Sequence, residues 1–214
     1  MKSLSKAGGI SALYLAAAYL AAMPYFLLVV DYQGAAEPMR KTALLLANRG
    51  SMYAMELVVY LLFGLFLVVL AMALKERLSP GAEALMAVAT PIGLIWAGLL
   101  IASGMVFNMG IAPVAGLYAT DQAQAAALWS AIDAVSSGLS GNGEIVGGAW
   151  MLLVSLAALK TRGLPKASCY LGLAVAAIGI LAVIPLLKDL ASVFGLGQIV
   201  WFAWIGIDML RGRR

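Results

Sequence analysis

Long apolar stretches alternate along the chain with short segments in which the charged residues collect. Each stretch is close to the roughly 20 residues that a helix needs to cross the hydrocarbon core of a bilayer, and none alternates between apolar and polar positions as a barrel strand would. The pattern predicts an all-α, polytopic membrane protein with a bundle of six transmembrane helices. The predicted spans are about residues 8–30, 51–74, 84–107, 144–159, 168–187 and 194–210.

Two further segments have helical periodicity but are only half apolar. Residues 38–48 begin with Pro38, which suits the first position of a helix, and residues 122–135 follow Asp121, a good N-cap with Gln124 three positions later. Both segments are predicted to be short interfacial helices on the outer side of the membrane.

Glycine, proline and serine mark the predicted breaks between helices. The turn 79–81 separates the second span from the third, and the segment 108–120 is predicted to be a loop. The run 136–143 is predicted to be a hinge or an irregular start to the fourth span.

Composition supports this fold class. The chain has 64% apolar and 11% charged residues, whereas soluble domains carry about a quarter charged residues. The start of the chain resembles a signal peptide, but its apolar run continues to Val30, so a retained first helix is expected. Residues 1–214 are predicted to form a single membrane domain.

The positions of the basic residues predict the orientation. With both termini in the cytoplasm (N-in/C-in), ten of the 14 Lys and Arg residues lie inside, which satisfies the positive-inside rule. The net charge of +4 is therefore attributed to orientation in a bacterial inner membrane and not to nucleic acid. The ten residues are Lys2, Lys6, Lys75, Arg77, Lys160, Arg162, Lys166, Arg211, Arg213 and Arg214.

Several chemistries are disfavoured. The chain has no histidine and one cysteine, Cys169, which argues against histidine-ligated haem, histidine-based zinc sites and dithiol redox chemistry. No nucleophile with its base is recognisable. We therefore expect no cofactor and no metal, and we expect that the protein is not an enzyme.

Acidic residues within predicted spans are the candidates for function, because burying a charge in a bilayer is costly. Glu56 and Glu144 both fall at the outer ends of their predicted helices, whereas Asp208 is expected to pair with Arg211 three residues later. Two neighbouring carboxylates at low dielectric would suit proton exchange or cation binding. The candidate substrate- or cation-binding residues are Glu56, Glu144, Asn142, Asp133, Asn108 and Arg49.

The alternative is that these carboxylates are structural. They would then lie at the headgroup level, hydrated or paired with Arg40, Lys41 or Arg49, and Glu144 would be stabilised by the helix dipole.

Small residues at Gly148 and at Gly172 predict close packing between helices.

The segment from Ala125 to the C-terminus resembles a bacterial family of six-helix membrane proteins known as domain of unknown function 4386. The resemblance covers about the last ninety residues and implies a six-helix architecture without any established activity. The residues that carry it are Leu128-Trp129, the run 143–152, Gly163-Leu164-Pro165 and the run 200–206.

Three functions remain open on the sequence. The first is a small-solute or proton-coupled carrier with an outer polar pocket that takes a small molecule or a cation. The second is a ligand-sensing or accessory subunit that acts through helix contacts with a membrane protein partner or a second copy. The third is an intramembrane enzyme acting on a lipid. The lipid bilayer is the expected surrounding in each case.

Overall fold

The structure, a computed structural model, describes residues 2–32, 34–140 and 144–212 and contains no strand within these ranges. The predicted all-α fold class is confirmed. The helices are α1 (Lys2–Pro24), α2 (Pro38–Ala47), α3 (Arg49–Glu56), α4 (Phe63–Tyr118), α5 (Gln122–Ser140), α6 (Glu144–Thr161), α7 (Lys166–Leu181) and α8 (Leu190–Arg211).

Several helical stretches have the length and apolar character of membrane spans. Four of them qualify by both measures, and α7 is a shorter apolar helix. The second stretch is 70 residues long, about 105 Å if it were straight, which is more than three times the roughly 30 Å of a bilayer's hydrocarbon core. The four stretches are Leu4–Val29, Arg49–Tyr118, Gln122–Thr161 and Leu190–Arg211.

Helix α4 bends back at the predicted turn. Pro80 has an extended ψ of 103° and Gly81 has a φ of 96°, a conformation that residues with a Cβ rarely adopt. The break divides α4 into a first arm, residues 63–79, and a second arm, residues 83–118. A Cβ on Gly64 would lie 2.8 Å from the carbonyl oxygen of Ala97, so the two arms pack with their backbones close together.

Three predicted helix ends are wrong. The predicted loop 108–120 is helical as far as Tyr118, because burial of apolar residues such as Val114 against α5 outweighs the local effect of Pro113. Helix α5 extends beyond residue 135 to Ser140, and residues 141–143 of the predicted hinge lie outside the described ranges. Helix α7 ends at Leu181 instead of about residue 187, because Ile184 before Pro185 is extended.

Two segments widen into π-helix. Tyr25–Val29 continues α1, and Leu57–Leu62 joins α3 to α4. In the second segment, the hydroxyl of Tyr14 donates a 2.8 Å hydrogen bond to the carbonyl of Val58. Single π-helical turns are frequent at functional sites, and this one begins directly after Glu56.

The apolar interior consists of two separate clusters. The main core joins α1, both arms of α4, α6, α7 and α8. The minor core lies at one end of the molecule, where α2, α3 and α5 meet the end of the second arm. The minor core consists of Val30, Tyr32, Leu45, Met52, Phe107, Ile111, Val114, Ala125 and Trp129.

Glycines bring α6 and α7 into close contact, as predicted. A Cβ on Gly148 would lie 2.9 Å from the carbonyl oxygen of Ala176, and a Cβ on Gly172 would overlap Ser155 and Trp201. The small-residue packing predicted for these two helices is confirmed.

We expect Gly148→Ala to destabilise the protein by about 1–3 kcal/mol, because backbone atoms of α7 would have to move to admit the methyl group. The matched control is Gly98→Ala, since a Cβ at Gly98 meets nothing within 4 Å. That variant should be neutral or more stable by up to about 1 kcal/mol, because alanine favours a helix. Thermal unfolding in detergent measures both, and an equal effect at the two sites would contradict the packing.

Candidate functional site

A buried carboxylate lies between the two cores. Glu56 is the last residue of α3, and only 3% of its surface is exposed. Its Oε2 atom has no hydrogen-bond partner among the described residues. Burying a carboxylate costs free energy unless it is protonated or paired, so this oxygen is a candidate to bind a proton, a water molecule or a ligand.

A second acceptor without a donor lies on the facing helix. Asn108, in the second arm of α4, donates a 3.3 Å hydrogen bond from Nδ2 to the carbonyl of Tyr53, and within the described chain its Oδ1 has no partner. The two helices approach closely at Gly104. A Cβ added to this glycine would lie 2.7 Å from Cβ of Tyr60 and 3.4 Å from the carbonyl oxygen of Glu56. Both unpartnered atoms accept hydrogen bonds, which suits a cation or a hydrogen-bond donor as ligand.

A hydrogen-bonded network joins α2 to α5 and lies next to Glu56. Lys41 Nζ lies 2.7 Å from Asp133 Oδ2, and the hydroxyl of Tyr32 donates to Asp133 Oδ1 at 3.2 Å. The indole Nε1 of Trp129 donates to the Tyr32 oxygen at 2.7 Å, and the Lys41 ammonium lies 4.7 Å from the centre of the Tyr32 ring. The network pins the chain segment after α1 and helix α2 onto α5.

Electrostatics connect this network to Glu56. Burial raises the pKa of Tyr32, and the neighbouring carboxylates of Asp133 and Glu56 raise it further, although the hydrogen bond from Trp129 acts in the opposite direction. Tyr32 therefore remains a neutral phenol that donates a hydrogen bond to Asp133. Glu56 and Asp133 lie close enough to repel each other when both are ionised, so the structure brings two of the predicted carboxylates into one electrostatic environment.

We expect Lys41 and Asp133 to be energetically coupled by about 1 kcal/mol, because only 26% and 20% of their side chains are exposed. A double-mutant cycle with Lys41→Met and Asp133→Asn, followed by thermal unfolding, measures the coupling. The control is the pair Arg40 and Asp31, whose side chains are 58% and 54% exposed. That pair should give less than about 0.5 kcal/mol. Equal coupling in both cycles would show that the lower exposure of the Lys41–Asp133 ion pair does not strengthen it.

The other predicted site residues are placed as follows. Arg49 is exposed and has no ion pair within the described chain. Glu144 begins α6, but its side chain is outside the described part of the structure, and Asn142 lies in the undescribed segment 141–143. The structural alternative has these carboxylates hydrated or paired with Arg40, Lys41 or Arg49, and in the structure Arg40 pairs with Asp31 and Lys41 with Asp133.

The expected pairing of Asp208 with Arg211 is wrong. Asp208, 6% exposed, instead accepts a 2.8 Å bond from Arg77, which lies 131 residues earlier, and Arg77 also donates to the carbonyl of Gly163 at 2.7 Å. Helix α1 packs against both α4 and α8, so the long side chain of Arg77 reaches Asp208, and Arg77 is more buried than Arg211. Asp208 is therefore part of a structural ion pair.

Sequence reasoning missed Tyr32, Trp129 and Gln198. Tyr32 follows the apolar run of the first helix and Trp129 lies on the apolar face of α5, so neither stands out by position. Gln198 lies in the middle of an apolar helix, which was a usable signal. Its Oε1, Ser155 Oγ and Trp201 Nε1 are all buried without partners in the described chain, while its Nε2 contacts the sulfur of Met151 at 3.6 Å.

No group of three or more His, Cys, Asp or Glu residues suited to a metal ion occurs in the described ranges. Glu56 Oε2 and Asn108 Oδ1 are acceptor oxygens that could bind a proton or the N–H groups of an ammonium.

Comparison with known proteins places the chain in a family without assigning an activity. No curated protein and no solved structure matches it. The profile of one protein family, described as Domain of unknown function (DUF4386), matches residues 10–207. The match therefore includes the first half of the chain as well as the C-terminal segment that resembled the family. The chain belongs to the DUF4386 family.

Proposed function

We propose that this protein is a small-solute or proton-coupled carrier of the bacterial inner membrane, with six spans and both termini in the cytoplasm. One observation carries the proposal, namely that Glu56 is 3% exposed and has an oxygen without a partner among the described residues. Burying a carboxylate at such a position costs free energy, and helix packing alone gives no reason for that cost.

The proposed ligand is a monovalent cation, a primary ammonium group or a proton. Glu56 would provide the negative charge and Asn108 a neutral oxygen, which together match a small cation or an ammonium group. Glu144 and Asn142 are retained in this proposal as further members of the site. The residues of the minor core would exclude water from it.

Movement of α2 and α5 would open the site. These helices are joined by Lys41 and Asp133, and their ion pair lies next to the carboxylate to which the ligand would bind. A cation at Glu56 would reduce the repulsion between Glu56 and Asp133, so binding and closure of the two helices would favour each other. The π-helical segment Leu57–Leu62, directly after Glu56, would be a second element that changes conformation when the site opens.

The direct test is transport by the purified protein in liposomes. A pH-sensitive dye inside the vesicles would report proton movement after addition of Na⁺, K⁺ or ammonium salts, with and without a solute mixture. We expect a pH change that depends on one of these additions. If no addition moves protons or cations, the carrier proposal fails and the accessory-subunit alternative replaces it.

A further inference from the structure

A groove of about 540 Å³ lies along α4 next to its break. Lys75 and Ser79 of the first arm and Glu83 of the second arm form its polar end. Met86, Pro91 and Leu94 of the second arm line its apolar part. The groove lies beside the break of α4, whereas the Glu56 site adjoins Gly104 and Asn108 further along the second arm, and the two share no residues.

The length of the groove matches one leaflet of a bilayer. Glu83 and Leu94 are 11 positions apart (94 − 83), which in a helix corresponds to about 16 Å, or half of a hydrocarbon core about 30 Å thick. The polar end lies near Arg77, at the predicted cytoplasmic end of the helices, where lipid headgroups would be. Pro91 and Leu94 are exposed, so the apolar part is open to the surrounding lipid.

The polar end of the groove carries one positive and one negative side chain, and these two side chains form no ion pair with each other. Lys75 and Glu83 are exposed, and neither has an ion-pair partner in the part of the chain that the structure describes. Arg77, only two residues from Lys75, instead turns inward to Asp208. A free ammonium, a hydroxyl and a carboxylate therefore surround the mouth of an apolar groove.

We propose that this groove binds one phospholipid with a zwitterionic, primary-amine headgroup, of the phosphatidylethanolamine class. Its phosphate would accept from Lys75 and Ser79, its ammonium would donate to Glu83, and one acyl chain would lie against Met86, Pro91 and Leu94. Phosphatidylcholine fits less well, because its quaternary ammonium has no N–H to donate. Phosphatidylglycerol also fits less well, because it has no cation for Glu83.

The test is native mass spectrometry of the detergent-purified full chain, with the three lipids carrying identical acyl chains and competing at equal concentration. We expect the ethanolamine lipid to be retained preferentially. Lys75→Gln should weaken binding of all three lipids about fivefold, because each has a phosphate. Glu83→Gln should abolish the preference for the ethanolamine lipid over the glycerol lipid.

Lys188→Gln and Glu37→Gln are matched controls, because each removes an exposed charge of the same sign outside the groove. Both should bind lipid as the unmodified chain does. Equal retention of the three lipids, or an ethanolamine preference that survives Glu83→Gln, would overturn the proposal. Lipid binding is measured without transport, so failure of the carrier proposal would leave this result unaffected.

Discussion

Glu56→Gln is expected to weaken binding of a cation about 10- to 150-fold and to reduce coupled flux accordingly. The substitution keeps the shape of the side chain and removes its charge, and a hydrogen bond or ion contact to a charged group contributes about 1.5–3 kcal/mol. The protein should remain folded, because the neutral amide avoids the cost of burying a carboxylate at a position that is 3% exposed. Cation-dependent thermal stabilisation and liposome flux are the two measurements.

Two controls separate loss of charge from loss of structure. Glu56→Asp retains the carboxylate and should retain part of the cation response, whereas Glu37→Gln removes an exposed carboxylate and should change nothing. Unaltered flux in Glu56→Gln would remove the buried carboxylate from the mechanism. A variant that unfolds would instead show that Glu56 has a structural partner.

Asp208→Ala is expected to destabilise the protein by about 3–5 kcal/mol, because it leaves the guanidinium of Arg77 without its carboxylate in a largely buried place. Arg77 connects the first arm of α4 to α8 and to the carbonyl of Gly163 before α7. Loss of the ion pair therefore removes the link between α4 and α8, while the bond from Arg77 to Gly163 remains available. Thermal unfolding in detergent measures the effect.

The matched control is Arg211→Ala, which removes the exposed arginine that sequence spacing assigned to Asp208. We expect a change within about 0.5 kcal/mol, as for other exposed positions. The double variant Arg77→Met with Asp208→Leu should recover most of the stability, because two apolar residues of similar volume avoid an uncompensated charge. A larger loss in Arg211→Ala than in Asp208→Ala would show that the pairing is local.

The Asp208 ion pair illustrates why spacing alone misassigned a partner. Residues 208 and 211 are neighbours on any helix, so Arg211 was the nearest visible cation. The observed partner lies 131 positions away, and only the packing of α4 and α8 against α1 brings it near. No periodicity within one helix contains that information.

The candidate site was partly visible from the sequence. Glu56 stands out because charges are rare within apolar stretches, and the predicted helix ends placed Asn108, at the start of a predicted loop, in the same outer layer. The network around Asp133 was less visible, because Tyr32 and Lys41 belong to a polar segment where such residues are ordinary. Their role follows from contacts that span about a hundred positions of the chain.

The amino-acid sequence by itself determined the all-α fold, the apolar helical stretches, the turn at Pro80-Gly81 and the small-residue contacts between α6 and α7. These features depend on local backbone preferences and on the apolar character of the helical stretches, whose backbone groups are paired within each helix. The tertiary structure decided the extension of α4 to Tyr118, the ion pair of Arg77 and the isolation of Glu56 between two apolar cores. Each of these depends on which helices pack together, because burial and pairing energies arise between residues far apart in the chain.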